Sequence, residues 1–129
     1  MQRIDLLVLL DLIGAPHPTF HPYTDPLTLQ CDEYARELSR LEDVLLGENS
    51  EKFFSEECTT VNNNVDDHTP FLEQGLRRAL HVISDPFPQV WHTLEDNMEH
   101  LDYETIDRIN RIIRIFVAEY LNIDLPSHL

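Results

Sequence analysis

Short apolar runs along this chain are separated by polar, proline-rich breaks. Ile4 to Leu12 (IDLLVLLDL) is nearly continuous apolar sequence closed by Gly14 and Pro16. It predicts a central strand covered on both faces. Such a strand needs neighbours on both sides, so the expectation is that part of its sheet lies upstream of this chain. Residues 15–25 carry Pro16, Pro18 and Pro22 and predict a loop. Asp25-Pro26 has the form of a helix start, with Asp as N-cap and Pro in the first turn. Cys31, Tyr34, Leu38, Leu41 and Leu45 then fall on one helical stripe, and Gly47 closes it. Residues 48–63 are polar and irregular, with Asn62, Asn63 and Asn64 suited to a turn. After a short connection, Ala79 to Ser84 predicts a second buried strand. Asp102 opens a last helix whose apolar face runs through Ile106, Ile109, Ile112, Ile113, Phe116, Val117, Tyr120 and Leu121. Arg108, Arg111 and Arg114 recur on the other side, and acids followed by arginines agree with the helix dipole. Buried strands, helices and polar loops after strands predict an α/β fold, and 129 residues, 42% of them hydrophobic, fit one small globular unit.

Charge narrows the function classes. The 129 residues carry 24 acids and 9 lysines or arginines, a formal net charge of −15. Such a surface repels phosphate backbones and argues against nucleic-acid partners. No apolar stretch is long enough to span a bilayer. The two cysteines, Cys31 and Cys58, lack metal-site spacing, and two are too few for a disulfide framework. Cys31 lies in the predicted helical stripe and is expected to be a buried free thiol. The start Met1-Gln-Arg-Ile-Asp is not a signal peptide, which taken literally predicts a cytosolic chain.

The densest chemistry lies in Asp85-Pro-Phe-Pro-Gln-Val-Trp-His-Thr-Leu-Glu-Asp-Asn97. Pro86 and Pro88 stiffen an extended loop that presents Trp91 next to His92. A neutral imidazole there can ligate a metal, and a catalytic zinc takes about three His, Asp or Glu ligands plus an open position. Asp66, Asp67 and His68 place further polar groups in one short segment. Buried together, two carboxylates cannot both ionise cheaply, so such a pair can hold or relay a proton. Asp11, in an apolar run, must be paired, protonated or metal-bound if buried, against the alternative of a strand-end cap. Asp11, Asp66 and Trp91-His92 could converge on one crevice, since open α/β sheets bind ligands beyond the carboxyl ends of their strands. His81, inside a strand, has the setting of a satisfied core histidine. His17, His21, His100 and His128 have loop or surface settings. Three glycines, with no Gly-x-Ser-x-Gly and no phosphate loop, argue against nucleotide cradles and serine nucleophiles.

Ile4–Pro16, Val65-Asp-Asp-His-Thr-Pro-Phe-Leu72, Leu80-His-Val-Ile83 and Pro86–Asn97 together resemble the animal glutaminyl-peptide cyclotransferases (glutaminyl cyclases), in order and in approximate spacing, from about residue 4 to residue 121. The resemblance implies part of a mixed central sheet flanked by helices, of the zinc aminopeptidase-like kind. It implies one zinc per complete enzyme, and conversion of N-terminal glutamine or glutamate of peptides and proteins to pyroglutamate with loss of ammonia or water. It also implies a secreted or Golgi setting. In this correspondence zinc polarises the side-chain amide carbonyl while a glutamate shuttles the proton. His92 matches the last zinc ligand, Asp66 an acid of the proton-relay network, and Asp11 its hydrogen-bonded partner. Phe87 and Trp91 match walls of the pocket, His81 a histidine near it, and Asn64 a pocket position that is apolar in the family. The other two zinc ligands and the catalytic glutamate match nothing in this chain. The expectation is therefore a C-terminal portion of the catalytic domain, with its N-terminal half missing, zinc weakly held or absent, and no activity alone. The alternatives are a non-catalytic interaction protein and a zinc aminopeptidase relative. Trp91 argues against the latter by narrowing the site.

Overall fold

A computed structural model describes residues 4–23, 33–47, 49–59 and 65–124. Strand β1, Leu7–Asp11, is followed by helices α1, Glu33–Leu46, and α2, Thr69–Glu73. Strand β2, Ala79–Ile83, a 3-10 turn at Met98–His100 and helix α3, Tyr103–Tyr120, complete the order. β1 and β2 pair in parallel, with Leu7 opposite Ala79, Leu9 opposite His81 and Asp11 opposite Ile83. The α/β class holds, with a small parallel sheet and helices beside it.

The core lies between the sheet and two helices. Leu38 and Leu41 of α1, Ile109, Ile112 and Phe116 of α3, and Leu80 and Val82 of β2 share one buried cluster. Leu38, Leu80 and Ile112 have no exposed surface. Each fully buried aliphatic side chain of this kind stabilises the fold by about 1.5–3 kcal/mol relative to exposure. Asp102 caps α3 as its sequence predicts. Its carboxylate accepts from the Glu104 N–H at 3.3 Å and from the Thr105 hydroxyl at 2.7 Å. The Thr105 bond leads in holding the Asp102 carboxyl below its ordinary range. Gly47 ends α1 at φ +82°, a left-handed position that suits glycine, and its N–H reaches the Asp43 carbonyl at 3.0 Å.

Several expectations change. β1 is shorter than the apolar run and is half-buried rather than covered on both faces, with Leu10 39% exposed. Among the described residues β2 is its only ladder partner. Phe53 and Phe54, in a stretch that looks polar and irregular, are core residues, and Phe54 bridges Phe20 of the proline-rich loop. Arg108 is not on a solvent face. Its guanidinium lies 3.8 Å over the Phe53 ring and 3.4 Å from the buried Glu42 carboxylate. The arginines of α3 stand in mid-helix, with no basic residue in its last turn, so the dipole gains little from them. Val117 and Leu121, placed on the apolar face by periodicity, are 41% and 58% exposed. Cys58 is disulfide-bonded, which a count of two cysteines does not suggest. Cys31, Asn64, His128 and the predicted helix start at Asp25-Pro26 lie outside the described residues.

Candidate functional site

Strand alternation sets the first part of the site. Leu80 and Val82 point into the helical core, so His81 between them points to the opposite face, in register with Leu9. Asp11, two residues beyond Leu9, shares that face. The segment 65–76 lies over it. Asp66 Oδ2 stands 3.1 Å from His81 Nε2, and the His68 ring lies 4.7 Å from the His81 ring. Tyr23 approaches His81 from the proline-rich loop, with centroids 5.7 Å apart. Asp66 is fixed locally: its N–H donates to the Thr69 hydroxyl at 3.0 Å, and its Oδ1 accepts from the Asp67 N–H at 2.8 Å.

This pocket of the fold keeps its imidazoles neutral. Burial lowers the His81 pKa, the neighbouring His68 lowers it further, and the carboxylates of Asp66 and Asp11 oppose both. Burial likewise lowers the His68 pKa, against Asp66 and Asp67. The Tyr23 hydroxyl is pushed up to about 12 by burial and then by Asp85. A neutral imidazole has one N–H to donate, and a carboxylate 3.1 Å away is a ready acceptor. The arrangement can therefore orient Asp66 without placing a full positive charge beside it.

The second part follows β2. Ser84 is buried and donates to the Pro86 carbonyl at 3.1 Å, and the Asp85 N–H donates to the Thr19 carbonyl at 2.8 Å. The Asp85–Pro86 peptide bond is cis. Beyond the prolines the loop is not simply extended. It folds into successive turns, with Trp91 N–H on the Pro88 carbonyl at 3.0 Å and the Thr93 hydroxyl on the Val90 carbonyl at 2.6 Å. Trp91 meets the edge of Phe87 at 4.8 Å between centroids and stacks on His92 at 3.8 Å. All three rings are exposed.

Leu12, just after β1, and His92 both have left-handed backbones, at φ 52° and 60°. Non-glycine residues adopt that region at a cost and cluster at functional sites when they do. The Leu12 N–H is held by Asp11 Oδ1 at 2.8 Å. Leu12 and Trp91 line one crevice, together with Val90, Asp96, His100 and Leu101. Gly14 permits this closeness. A Cβ there would sit 2.7 Å from Leu101 Cδ2, and the Gly14 carbonyl accepts the Asp102 N–H at 2.9 Å.

The structure thus joins Asp66 with His81, sets Asp11 on the same face, and seats Trp91 against the chain leaving β1. His68 joins the cluster from the Asp66-Asp67-His68 segment that the sequence singles out, and Tyr23 joins it without a sequence signal of its own. Among the described residues no group of three or more His, Cys, Asp or Glu side chains is arranged to hold a metal. His92, exposed beside Trp91, is not part of any such group. No described helix is long and apolar enough to cross a membrane.

Comparison with known proteins bears on the family and the fold. The glutaminyl-peptide cyclotransferase of Bos taurus is 47% identical over 130 residues, covering 95% of this chain and 34% of the relative. The glutaminyl-peptide cyclotransferase of Drosophila melanogaster is 36% identical over 131 residues, covering 94% and 37%. The chain spans about a third of the length of these curated relatives. Among solved structures, the Macrostomum lignano glutaminyl cyclase aligns with a TM-score of 0.80 at 25% identity, over 94% of this chain and 40% of that one. A leucine aminopeptidase precursor from Bacteroides thetaiotaomicron aligns at 0.63 and 21% identity, over 84% and 36%, a likeness of fold alone. The family model for peptidase family M28 matches residues 1–117, most of the chain, and the chain therefore belongs to that family.

Proposed function

We infer that this chain is part of a glutaminyl-peptide cyclotransferase, which converts N-terminal glutamine, or glutamate, of peptides and proteins to pyroglutamate with release of ammonia or water. The 47% identity to the bovine cyclotransferase across nearly the whole chain carries the reading. The geometry supports it. Cyclisation requires a flexible side chain to be folded back onto its own α-amine, so a narrow wall that restricts the residue's freedom contributes directly to rate. Trp91, braced by Phe87 at its edge and His92 at its face, is such a wall. Loss of ammonia also needs a proton moved from amine to leaving group, and the relay role proposed for Asp66 draws support from its Oδ2 standing 3.1 Å from His81 Nε2.

In this reading zinc is the cofactor of the complete protein. His92 supplies one ligand, and the remaining ligands and the catalytic glutamate come from outside the described residues. The 129-residue chain, acting as the C-terminal portion of the domain, then binds zinc weakly and does not cyclise glutamine. The secreted or Golgi setting draws support from the bonded state of Cys58, since disulfides persist in oxidising compartments.

The test is pyroglutamate and ammonia formation by the full-length protein from an N-terminal glutaminyl peptide, beside release of p-nitroaniline from a leucine anilide. Cyclisation without anilide hydrolysis is expected, and the reverse would replace the cyclase with an aminopeptidase. Stoichiometric zinc retained by full-length His92→Ala would remove His92 from the ligand set.

A further inference from the structure

Charge is unevenly distributed around the crevice between Leu12 and Trp91. Residues 4–23 and 79–107, which form the strands and the loops leaving their carboxyl ends, contain no lysine or arginine. All 9 such residues lie elsewhere in the chain. Among them, Arg40, Lys52, Arg108 and Arg111 are each already engaged by a carboxylate. The mouth keeps its acids. Asp96 lines the crevice, and Glu95 and Glu99 stand exposed beside it. No cation is paired with any of these three among the described residues. The same rim exposes apolar side chains without cover: Leu94 is fully exposed and Met98 is 73% exposed. Leu94 and Met98 therefore offer apolar contact next to the acids of this rim.

The rim folds this way for local reasons. Asn97 Oδ1 accepts the Glu99 N–H at 2.9 Å, and its Nδ2 donates to the Leu94 carbonyl at 3.3 Å. These bonds tie the chain on both sides of Asn97 into a tight turn. Leu94, Glu95, Met98 and Glu99 are carried outward by that turn rather than packed on the core.

The geometry points to a substrate subsite: the apolar and acidic rim formed by Leu94, Glu95, Asp96, Met98 and Glu99 receives the residues that follow the N-terminal glutamine, and it favours peptides with lysine or arginine there. The proposal rests on the cyclotransferase reading and names the substrate class it leaves open. Complementary charge lowers the energy of a cationic peptide at the mouth and raises its rate of encounter. The contacts are exposed, so the preference is modest and falls with salt.

The experiment compares kcat/KM of the full-length protein for Gln-Arg-Phe-amide, Gln-Ala-Phe-amide and Gln-Glu-Phe-amide at low and at high sodium chloride. An arginine-over-glutamate preference of about three- to tenfold at low salt is expected, in line with one or two exposed charge pairs. It should shrink at high salt and collapse in a Glu95→Gln/Glu99→Gln double variant, with the alanine peptide as internal reference. Equal rates for the three peptides at low salt would overturn the subsite while leaving the cyclotransferase reading in place. A preference that survives in the double variant would overturn the assignment to this rim. No turnover of any of the three would overturn the reading of the function, and the subsite with it.

Discussion

The helical layer and the Trp91 loop solve opposite problems. Where α1 meets α3, the buried Glu42 carboxylate is answered from inside the protein, while Ser39 Oγ is buried without a hydrogen-bond partner among the described residues. Glu42, with no exposed surface, accepts the Phe53 N–H at 2.9 and 3.0 Å and the Phe54 N–H at 3.0 Å. Arg108 then reaches it from α3 and also bonds the Glu51 carbonyl. In the loop from Ser84 to Asp102, the backbone is held by short-range turns, while Phe87, Trp91, Leu94 and Met98 face outward. The first region holds the strands still. Beyond the buried Ser84, the second places most of its side chains off the core and presents rings, an imidazole and acids at the strands' carboxyl ends. Most of the packing in this fold falls to apolar side chains of α1 and α3, while Phe87, Trp91, Leu94 and Met98 of the loop are exposed.

The comparison breaks if a core truncation is mild. Ile112→Ala should cost about 2–5 kcal/mol, read from urea unfolding, because the site is fully buried and collapses only partly around the cavity. A loss under about 1 kcal/mol would mean that the helical layer is loosely packed. Next in size is Glu42→Ala. It strands two backbone N–H groups and one guanidinium, and a loss of about 2–3 kcal/mol is expected. Trp91→Ala should show the reverse pattern. Its unfolding free energy should stay within about 1 kcal/mol of wild type, while in the full-length protein, on the proposed cyclotransferase reading, KM for an N-terminal glutaminyl peptide rises about tenfold, the equivalent of about 1.4 kcal/mol of lost contact. Equal damage to folding would place Trp91 in the structural class after all.

A fourth prediction concerns acid. His68 and His81 are held below their ordinary value of 6.5 in the folded chain, by burial first. The unfolded chain therefore binds protons before the folded one does. Stability from this pair is present above the ordinary value and is lost as pH falls through the lowered ones. Glu42 acts in the other direction. Burial raises its pKa against the Phe54 and Phe53 N–H groups and Arg108, so its contribution weakens as pH rises above 4.5. Urea midpoints measured against pH should fall below about pH 6.5, less steeply in His68→Gln. An unchanged slope would mean that the imidazoles do not couple to folding. The smallest effect is expected at Arg111→Ala. Its bond to Asp107 is an exposed helix pair, and the change should stay within about 0.5 kcal/mol.

Much of this is legible in the residues. Asp102 carries its own cap chemistry, and Gly47 its own left-handed turn, because both act over a few residues. The stripe from Tyr34 to Leu41 and the face from Ile109 to Phe116 are legible for the same reason: helical periodicity is written into the chain. The strand at Ala79–Ile83 is legible as a β-branched, apolar run. Phe53, Phe54 and Arg108 are not. Their burial depends on a carboxylate from α1 satisfying backbone groups in another segment, a partnership without a local signature. The site shows the same division. Trp91-His92 stand out because so polar and aromatic a loop has no core explanation. Tyr23 stays silent, and His68 is visible only as a neighbour of Asp66 and Asp67, because nothing near either in sequence says that His81 lies within ring contact.

Residue type and short-range spacing were enough for the two strands, the two long helices, the Asp102 and Gly47 caps, the acidic balance and the resemblance to glutaminyl cyclases, but not for the short helix Thr69–Glu73. Only the tertiary structure decided that His81 faces away from the helical core, that Asp66 meets it at 3.1 Å, and that Trp91 closes on Leu12. The reason is physical. A parallel strand pair fixes which side chains share a face, and the approach of Gly14 to Leu101 fixes how near the two loops stand. Both depend on contacts between segments far apart in the chain, where no pattern of neighbouring residues records them.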